Sequence, residues 1–208
     1  VAVLGPQDRN LRTIRAIFPK LSIMARGDEL RVVGPGELVE TFLERFDQLQ
    51  RHVVKYNELP EKVLQFGTGA LLRGLPDYFI DEANRKGIFN GRVVVVKSTG
   101  AGSTDAFDEQ NGLYTLCIRG IDKGREVSRN IINSAISRVI SAKDHWQEVL
   151  SVAKDPAVQT VISNTTEVGI QFVEESIFGQ VPKSFPGKLL ACLHARYTAF
   201  EDKTKAGM

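Results

Sequence analysis

Two closely spaced glycines follow an apolar segment in the sequence VLQFGTGALLRG, which spans residues 63–74. The apolar run fits a buried strand, passes into Gly67 and Gly69, and leads within a few residues into a helical pattern. Glycine lets a phosphate group approach backbone N–H groups at a helix N-terminus, where a Cβ would hold it away. The pattern is therefore typical of a dinucleotide-binding turn. A plain strand-to-helix turn explains it equally well, because Leu72 stands where the usual third glycine would fall.

The overall composition is that of a globular protein with balanced charge. The 208 residues include 27 Lys and Arg against 25 Asp and Glu, for a net charge of +2, and 42% are hydrophobic. Such a balance does not favour a nucleic-acid or membrane partner through bulk electrostatics. No segment approaches the roughly 18 apolar residues of a membrane span, and the first residues lack a leader pattern. We therefore expect a soluble cytoplasmic protein.

The cysteines and histidines do not indicate a disulfide or a metal centre. Cys117 and Cys192 stand apart in apolar surroundings, which favours two small core side chains over a disulfide. The three histidines, His52, His145 and His194, are scattered without a partner at metal-ligand spacing. No metal site is expected.

The chain up to about residue 56 predicts a small α+β module of order βαββα. Its elements are a short strand at 1–4, a helix ended by Pro19, two short strands at 22–26 and 29–33, and an amphipathic helix at 37–56. Pro60 ends the last helical pattern. We therefore predict a first domain at 1–58 and a second at 59–208.

The second segment alternates strands and helices in the manner of an α/β domain. The run RVVVVK at 92–97 is typical of a strand covered on both faces in a parallel sheet. Together with the strand at 63–66 and the helix between them, it forms a βαβ unit. We therefore predict a Rossmann-like, mostly parallel and incomplete sheet. Further expected elements are a hairpin at 113–119 and 126–132, a helix at 144–153 capped by Asp144, a strand at 158–163, and a helix from about Pro186 to Phe200 capped by Ser184.

The helix after the glycines contains a proline whose place the sequence leaves open. Pro76 either kinks a helix begun at Ala70 or lies in the first turn of a later one. Gly87 closes the helical pattern. The predicted apolar face comprises Leu75, Phe79, Ile80 and Ala83.

Residues 59–208 resemble the N-terminal domain of the long-chain mannitol dehydrogenase family, in particular its tagaturonate reductase (altronate oxidoreductase) branch. The matching segments include the stretch from LPEKVLQFGTGALLRG to RVVVVK, then NGLYTLCIRG, VISNTTEVGI and PKSFPGKLL. The resemblance implies NAD as cofactor and a sugar acid as substrate, with hydride transfer between NADH and an open-chain hexuronate or polyol.

The resemblance also assigns cofactor-binding residues. The matching cofactor loop comprises Phe66, Gly67, Thr68, Gly69, Ala70, Leu71, Leu72 and Arg73. Arg73 is expected to contact the pyrophosphate, the alternative being a solvated helix arginine.

A second assigned segment, Asn164, Thr165, Thr166 and Glu167, lies where open α/β sheets bind ligands. Thr165 and Thr166 would bond the nicotinamide ribose or carboxamide, and Glu167 would orient the substrate or a lysine. Alternatively, this polar cluster caps the next element.

Two departures from the family pattern affect the expected function. An NAD site commonly has an acidic residue after its second strand, whereas this chain has Lys97 and Ser98; we expect one of them to face the adenosine ribose and to tolerate a 2′-phosphate. The family's general base is a lysine in a helical C-terminal domain that has no counterpart here. Lys183 and Lys188 belong to the first domain of the family, so no catalytic residue is assigned and the chain alone is expected to be inactive or nearly so.

Residues 1–58 resemble a different family, the KH-like N-terminal module of PhoH-like proteins. The matching segments are RNLRTIRAIFPKL, ARGDELRVVG and HVVKYNEL. No G-x-x-x-x-G-K-[ST] motif is present, so ATP hydrolysis is not implied, and Gly34-Pro35-Gly36 does not fit a KH backbone clamp. An RNA partner is therefore an alternative to a structural or protein-contact module. The change of resemblance near Glu58 also leaves open a fused or chimeric reading frame.

Overall fold

The computed structural model describes residues 9–26, 29–98 and 105–208, which form two compact units. The first unit ends at Glu58 and also includes Glu109–Asn111, and the rest of the chain from Leu59 onward forms the second. The strand predicted at 1–4 and the turn at Gly27-Asp28 lie outside the described residues.

The first unit is a helix, a hairpin and a long helix. These elements are α1 (Arg9–Ile17), β1 (Ser22–Arg26), β2 (Glu29–Val33) and α2 (Gly36–Asn57). The two strands are antiparallel, with Ser22 opposite Val33 and Arg26 opposite Glu29. In its core the ring of Phe42 packs edge-on against Phe18, with centroids 5.3 Å apart. From the first helix onward, the described elements follow the order predicted from the sequence.

The second unit is built on a four-stranded parallel sheet. Its elements are β3 (Glu61–Phe66), α3 (Ala70–Gly74), α4 (Pro76–Arg85), β4 (Arg92–Lys97), α5 (Asp105–Asp108), β5 (Tyr114–Asp122), β6 (Arg125–Asn133), β7 (Ile136–Ser141), α6 (Trp146–Lys154), β8 (Thr160–Ser163) and α7 (Phe185–Ala199). The sheet order is β7-β4-β3-β8, and every neighbouring pair is parallel. The first strand of the unit thus lies between its second and its last, as in the doubly wound fold. The predicted Rossmann-like, partial α/β sheet is confirmed.

Both faces of this sheet are covered by apolar side chains. On one face Leu64, Phe66 and Val96 pack with residues of α6 and α7, among them Val149 and Cys192. The other face carries a second buried cluster comprising Val63, Val93, Val95, Ala135, Ile136 and Val139. Continuous valine in β4 follows from this arrangement, because each alternate side chain meets a covering layer.

The sequence predicts the hairpin of β5 and β6 but not the edge strand β7. The antiparallel hairpin of β5 and β6 is confirmed, with Tyr114 opposite Asn133 and Asp122 opposite Arg125. No strand was predicted at 136–141, although β7 pairs with β4 at the edge of the sheet. The sequence ISRVIS is short and polar in part, and its strand character depends on its pairing with β4.

The helical stretch after the glycines is divided at Leu75, which resolves the position of Pro76. Leu75 has φ −121° and ψ −79°, and Pro76 occupies the first turn of α4. Proline has no N–H to donate and its φ suits this position, so it begins a helix here instead of kinking one.

The predicted apolar face of α4 is wrong in part. Leu75 and Phe79 are 50% and 59% exposed, whereas the buried residues of the helix are Asp77, Asp81 and Asn84. The amide of Asn84 bonds both backbone groups of Gly91, at 2.7 and 3.0 Å. Hydrogen-bond partners on neighbouring segments permit burial of this polar face, which helical periodicity alone cannot indicate.

Two other local predictions are corrected and one is confirmed. Helix α6 has His145 at its N-cap without a side-chain cap, because Asp144 accepts from the Ser141 hydroxyl at 2.5 Å instead. Cys117 is exposed on the hairpin and is not a core residue, whereas Cys192 is buried as expected. Ser184 caps α7 as predicted, accepting from the N–H of Gly187 at 3.0 Å.

Candidate functional site

The carboxyl edge of the parallel sheet brings together the three segments predicted to bind a cofactor. Phe66, the last residue of β3, is paired with Val96 on one side and with Ser163 on the other. The next residues along these strands are Gly67, Lys97 and Asn164. Segments distant in sequence therefore meet at one edge, where open α/β sheets bind their ligands.

The glycine loop, residues 67–69, joins β3 to α3 in a conformation that needs glycine at its first position. Gly67 has φ +116°, its N–H donates to the Val96 carbonyl at 2.9 Å, and an added Cβ would lie 3.2 Å from Cδ1 of Leu72. Gly69 has ordinary extended angles, and an added Cβ would meet nothing within 4 Å. Backbone geometry thus requires the first glycine, while the second leaves open space beside the helix start.

The start of α3 has no side-chain cap. Gly69 occupies the N-cap position without a side chain to accept the first N–H groups. Such groups have no partner within the helix, and an anion is a suitable acceptor for them. The loop therefore fits a phosphate group on physical grounds.

Arg73 does not extend freely into solvent. Its side chain is half-buried, and its Cζ lies 5.7 Å from the ring centroid of Phe107 and 5.8 Å from that of Tyr114. The Tyr114 hydroxyl also donates to the Arg73 carbonyl at 2.7 Å. These contacts hold the guanidinium between aromatic rings, so it is not the solvated helix arginine of the alternative interpretation. Its contact with pyrophosphate stays a prediction.

A buried polar pair lies beneath the glycine loop and was not predicted from the sequence. Gln65 of β3 and Asp77 of α4 are both fully buried, and Nε2 of Gln65 donates to Oδ2 of Asp77 at 3.3 Å. Burial raises the pKa of Asp77 to about 7, although the hydrogen bond from Gln65 and the charge of Arg73 oppose the shift. The available signal was the polar Gln65 inside the apolar run VLQF.

Lys97 ends β4 at the same edge, and Ser98 follows it. Both are partly exposed, and Oγ of Ser98 is buried without a hydrogen-bond partner in the part of the chain that the structure describes. A buried hydroxyl with unused bonding capacity can bond a ligand hydroxyl, which suits the predicted ribose contact. Thr99, the next residue, lies outside the described residues.

The segment 164–167 is exposed at the end of β8, except for the half-buried Thr165. Thr165 donates to the Ser163 hydroxyl at 3.3 Å, and the Thr166 hydroxyl accepts from the N–H of Gly169 at 3.4 Å. Glu167 begins the short 3₁₀ turn Val168–Ile170 without capping it by its side chain. Thr166 thus supports the capping interpretation, while Asn164 and Glu167 keep their side chains at the surface beside the edge.

The N-terminus of α7 also lies at this edge, which the sequence did not indicate. The ring of Phe185 packs edge-on against Phe66, with centroids 5.4 Å apart. Within α7, Lys188 is only 4% exposed, and its ammonium donates to the Lys183 carbonyl at 2.8 Å. Burial lowers the pKa of Lys188, and the charge of Glu175 opposes this. Lys188 is therefore a buried lysine whose ammonium group is held by a backbone carbonyl.

Comparison with known proteins identifies the family to which the chain belongs. Residues 61–204 match the family model described as the mannitol dehydrogenase Rossmann domain. The chain belongs to this family. The family match begins at residue 61, beyond residues 1–58, so the RNA-binding interpretation of residues 1–58 stays a prediction.

Similar curated proteins are altronate oxidoreductases. The chain is 44% identical over 151 residues to the one from Halalkalibacterium halodurans, covering 71% of this chain and 30% of that protein. It is 42% identical over 152 residues to the one from Bacillus subtilis, covering 72% of this chain and 32% of that protein. The chain thus spans about a third of the length of these relatives.

Solved structures share the fold at low sequence identity. The mannitol 2-dehydrogenase of Pseudomonas fluorescens, in a ternary complex with NAD and D-mannitol, superposes with a TM-score of 0.60 at 20% identity, covering 69% of this chain and 32% of that one. A D-sorbitol dehydrogenase in substrate-free form gives a TM-score of 0.57 at 21% identity, covering 69% and 33%. At these identities the likeness establishes the fold alone.

The described residues contain neither a membrane-spanning helix nor a cluster of metal ligands. No helix there is long and apolar enough to span a bilayer. Nor does the same part of the chain contain a group of three or more His, Cys, Asp or Glu side chains suited to a metal ion.

Proposed function

We propose that residues 59–208 are the NAD(H)-binding domain of an oxidoreductase that interconverts tagaturonate and altronate. The observation that carries this proposal is the meeting of Gly67, Lys97 and Asn164 at the carboxyl edge of the sheet. Identity above 40% to altronate oxidoreductases supports the substrate class. The domain division near Glu58 is part of the same proposal.

Each segment of the edge has a distinct role in this proposal. The N–H groups that follow Gly69 bind the pyrophosphate, and Ser98 faces the adenosine ribose on the side of β4. Residues 164–167, on the opposite side of β3, approach the nicotinamide half. The nicotinamide ring supplies the hydride when bound, and the chain's own residues position it.

Gly69→Asp tests the cofactor site without threatening the fold. Gly69 has the extended backbone angles of an N-cap, a position where aspartate is favoured, and its Cβ would meet open space. The new carboxylate would take the N–H groups meant for the pyrophosphate and repel it. Calorimetric titration should show that NADH binds to the wild type but not to the variant, while the melting temperature is equal or higher.

Gly120→Asp is the matched control for this experiment. Gly120 lies on strand β5 of the hairpin, and its Cβ would also meet nothing within 4 Å. It introduces the same charge away from the loop, so NADH binding should persist. Equal NADH affinity of the wild type and the Gly69→Asp variant would overturn the cofactor site.

Turnover is proposed to need residues beyond those matched here. The domain covers about a third of the altronate oxidoreductases, and Lys188, a lysine of the PKSFPGK segment, is buried and bonded to a backbone carbonyl. We expect the purified 208-residue chain to bind NADH without reducing tagaturonate. Absorbance of NADH at 340 nm follows the reaction, and sustained oxidation of NADH on addition of tagaturonate would contradict this expectation.

A further inference from the structure

One side-chain amide links the glycine loop to helix α4 through the core. Nε2 of Gln65 donates both to the carbonyl of Gly67 and to Oδ2 of Asp77, each at 3.3 Å. Both side chains are fully buried, so solvent does not compete with these contacts. A change at the Asp77 carboxyl therefore reaches the loop backbone through a single intermediate group.

This polar pair is costly for the core. Oε1 of Gln65, Oδ1 of Asp77 and Nε of Arg73 are buried without a hydrogen-bond partner among the described residues. Each such atom costs about 1–3 kcal/mol. Buried polar atoms without hydrogen-bond partners concentrate at sites where function requires a particular geometry.

The hydrogen bond to Gly67 controls the direction of a loop N–H group. The peptide bonds of the described residues are trans, so the Gly67 carbonyl and the Thr68 N–H point in opposite directions. Because Gln65 binds the carbonyl from the buried side, the Thr68 N–H is directed away from it. The orientation of this peptide determines which groups the loop presents to an anion.

We propose that Asp77, acting through Gln65, is a positioning residue for the glycine loop and that its charge adjusts the affinity of the loop for pyrophosphate. This inference rests on the proposed NAD(H) site. Gln65 contacts the loop directly and Asp77 acts on it through Gln65; neither residue is among the predicted cofactor contacts.

The charge state of Asp77 changes near neutral pH. Its pKa is raised to about 7, mainly by burial. Among the described residues, Arg73 of α3 and Tyr114 of β5 interact with it electrostatically, Asp81 lies one turn along α4, and the neutral Asn133 of β6 donates to its carbonyl. An ionised Asp77 places a negative charge beneath a loop that receives an anion, and a low-dielectric core screens this repulsion weakly.

The test is the pH dependence of NADH binding by the full chain. The dissociation constant is measured by calorimetry from pH 6.0 to 8.5 for the wild type, Asp77→Asn, Gln65→Leu and Glu82→Gln. Glu82 is the control, since it lies on the same helix, is partly exposed and pairs with Arg85 at 3.8 Å. Thermal melts confirm that each variant is folded.

If the charge of Asp77 adjusts the loop in this way, the affinity for NADH should depend on pH in the wild type and not in Asp77→Asn. The dissociation constant of the wild type for NADH should rise about fivefold from pH 6.0 to 8.5. The control Glu82→Gln should show the same rise. Asp77→Asn should keep the tighter, low-pH value throughout, and folded Gln65→Leu should bind more weakly at every pH.

The outcomes that overturn the inference differ from those that overturn the function. Wild-type binding with no pH dependence, or Asp77→Asn with the wild-type profile, overturns the role of Asp77 and leaves the cofactor site intact. Absence of NADH binding by the wild type at every pH overturns both.

Discussion

The carboxylate of Asp81 accepts hydrogen bonds from both the N–H and the hydroxyl of Ser134, at 3.1 and 2.8 Å. Asp81 lies on α4, and Ser134 lies in the link between the hairpin and β7. The other carboxylate oxygen pairs with Arg85 at 2.7 Å. A single buried side chain thus attaches the helix after the glycine loop to the segment that enters the edge strand of the sheet.

Asp81→Ala should destabilise the second unit by about 2–4 kcal/mol, because it removes the buried carboxylate that accepts from the N–H and hydroxyl of Ser134 and that pairs with Arg85. Urea unfolding of the variant, followed by far-UV circular dichroism, measures this loss. Glu82→Gln removes only the more exposed partner of Arg85 and should change stability by less than about 1 kcal/mol. Equal stability of both variants would contradict the structural role of Asp81.

Asp77 should make the free energy of unfolding fall as pH rises from about 4 to 7. Its folded pKa is raised to about 7 from the usual 3.8, so within this window the folded state keeps a proton that the unfolded chain has lost. The stabilisation is complete below the lower value and lost above the higher one. Urea titrations should show that the free energy of unfolding of the wild type falls by a few kcal/mol relative to that of Asp77→Asn across this window. The exposed control Asp144→Asn should retain the wild-type profile.

Lys97→Ala should weaken NADP binding more than NAD binding. Lys97 follows Val96 at the edge, in the position where NAD sites commonly carry an acidic residue, and its charge would favour a 2′-phosphate. Paired calorimetric titrations with NADH and NADPH measure the ratio of the two affinities. Lys143→Ala, which removes an exposed lysine shortly after β7, is the control. The role of Lys97 fails if the ratio is the same in both variants and the wild type.

The two cysteines should differ strongly in reactivity in the folded protein. Cys117 is exposed, whereas Cys192 is fully buried and its pKa is raised to about 12 by burial. A thiol reagent such as DTNB should label about one thiol rapidly and the second only with denaturant. Cys117→Ser should abolish the rapid phase, and Cys192→Ser should preserve it. Rapid labelling of two thiols in the native wild type would contradict the buried position of Cys192.

The main features of the fold follow from local sequence patterns. The run RVVVVK indicated a strand buried on both faces, the glycines after VLQF indicated the turn into a helix, and Ser184 indicated a helix cap. Each of these signals is local, because burial on both faces, a positive φ and an N-cap all constrain the residues at their own positions. The sequence also placed Asn164 directly after a strand, where the carboxyl edge had to be, although this strand is partly exposed and not buried as its apolar pattern had indicated.

Tertiary structure alone decided which side chains of α4 are buried and which strand completes the sheet. Periodicity favoured Leu75 and Phe79 for the core, yet the core takes Asp77, Asp81 and Asn84 because Gln65, Ser134 and Gly91 supply their hydrogen bonds. Those partners lie 7 to 53 residues away, so no local pattern reveals them. For the same reason strand β7 and the polar pair beneath the glycine loop emerge only when distant segments are brought into register.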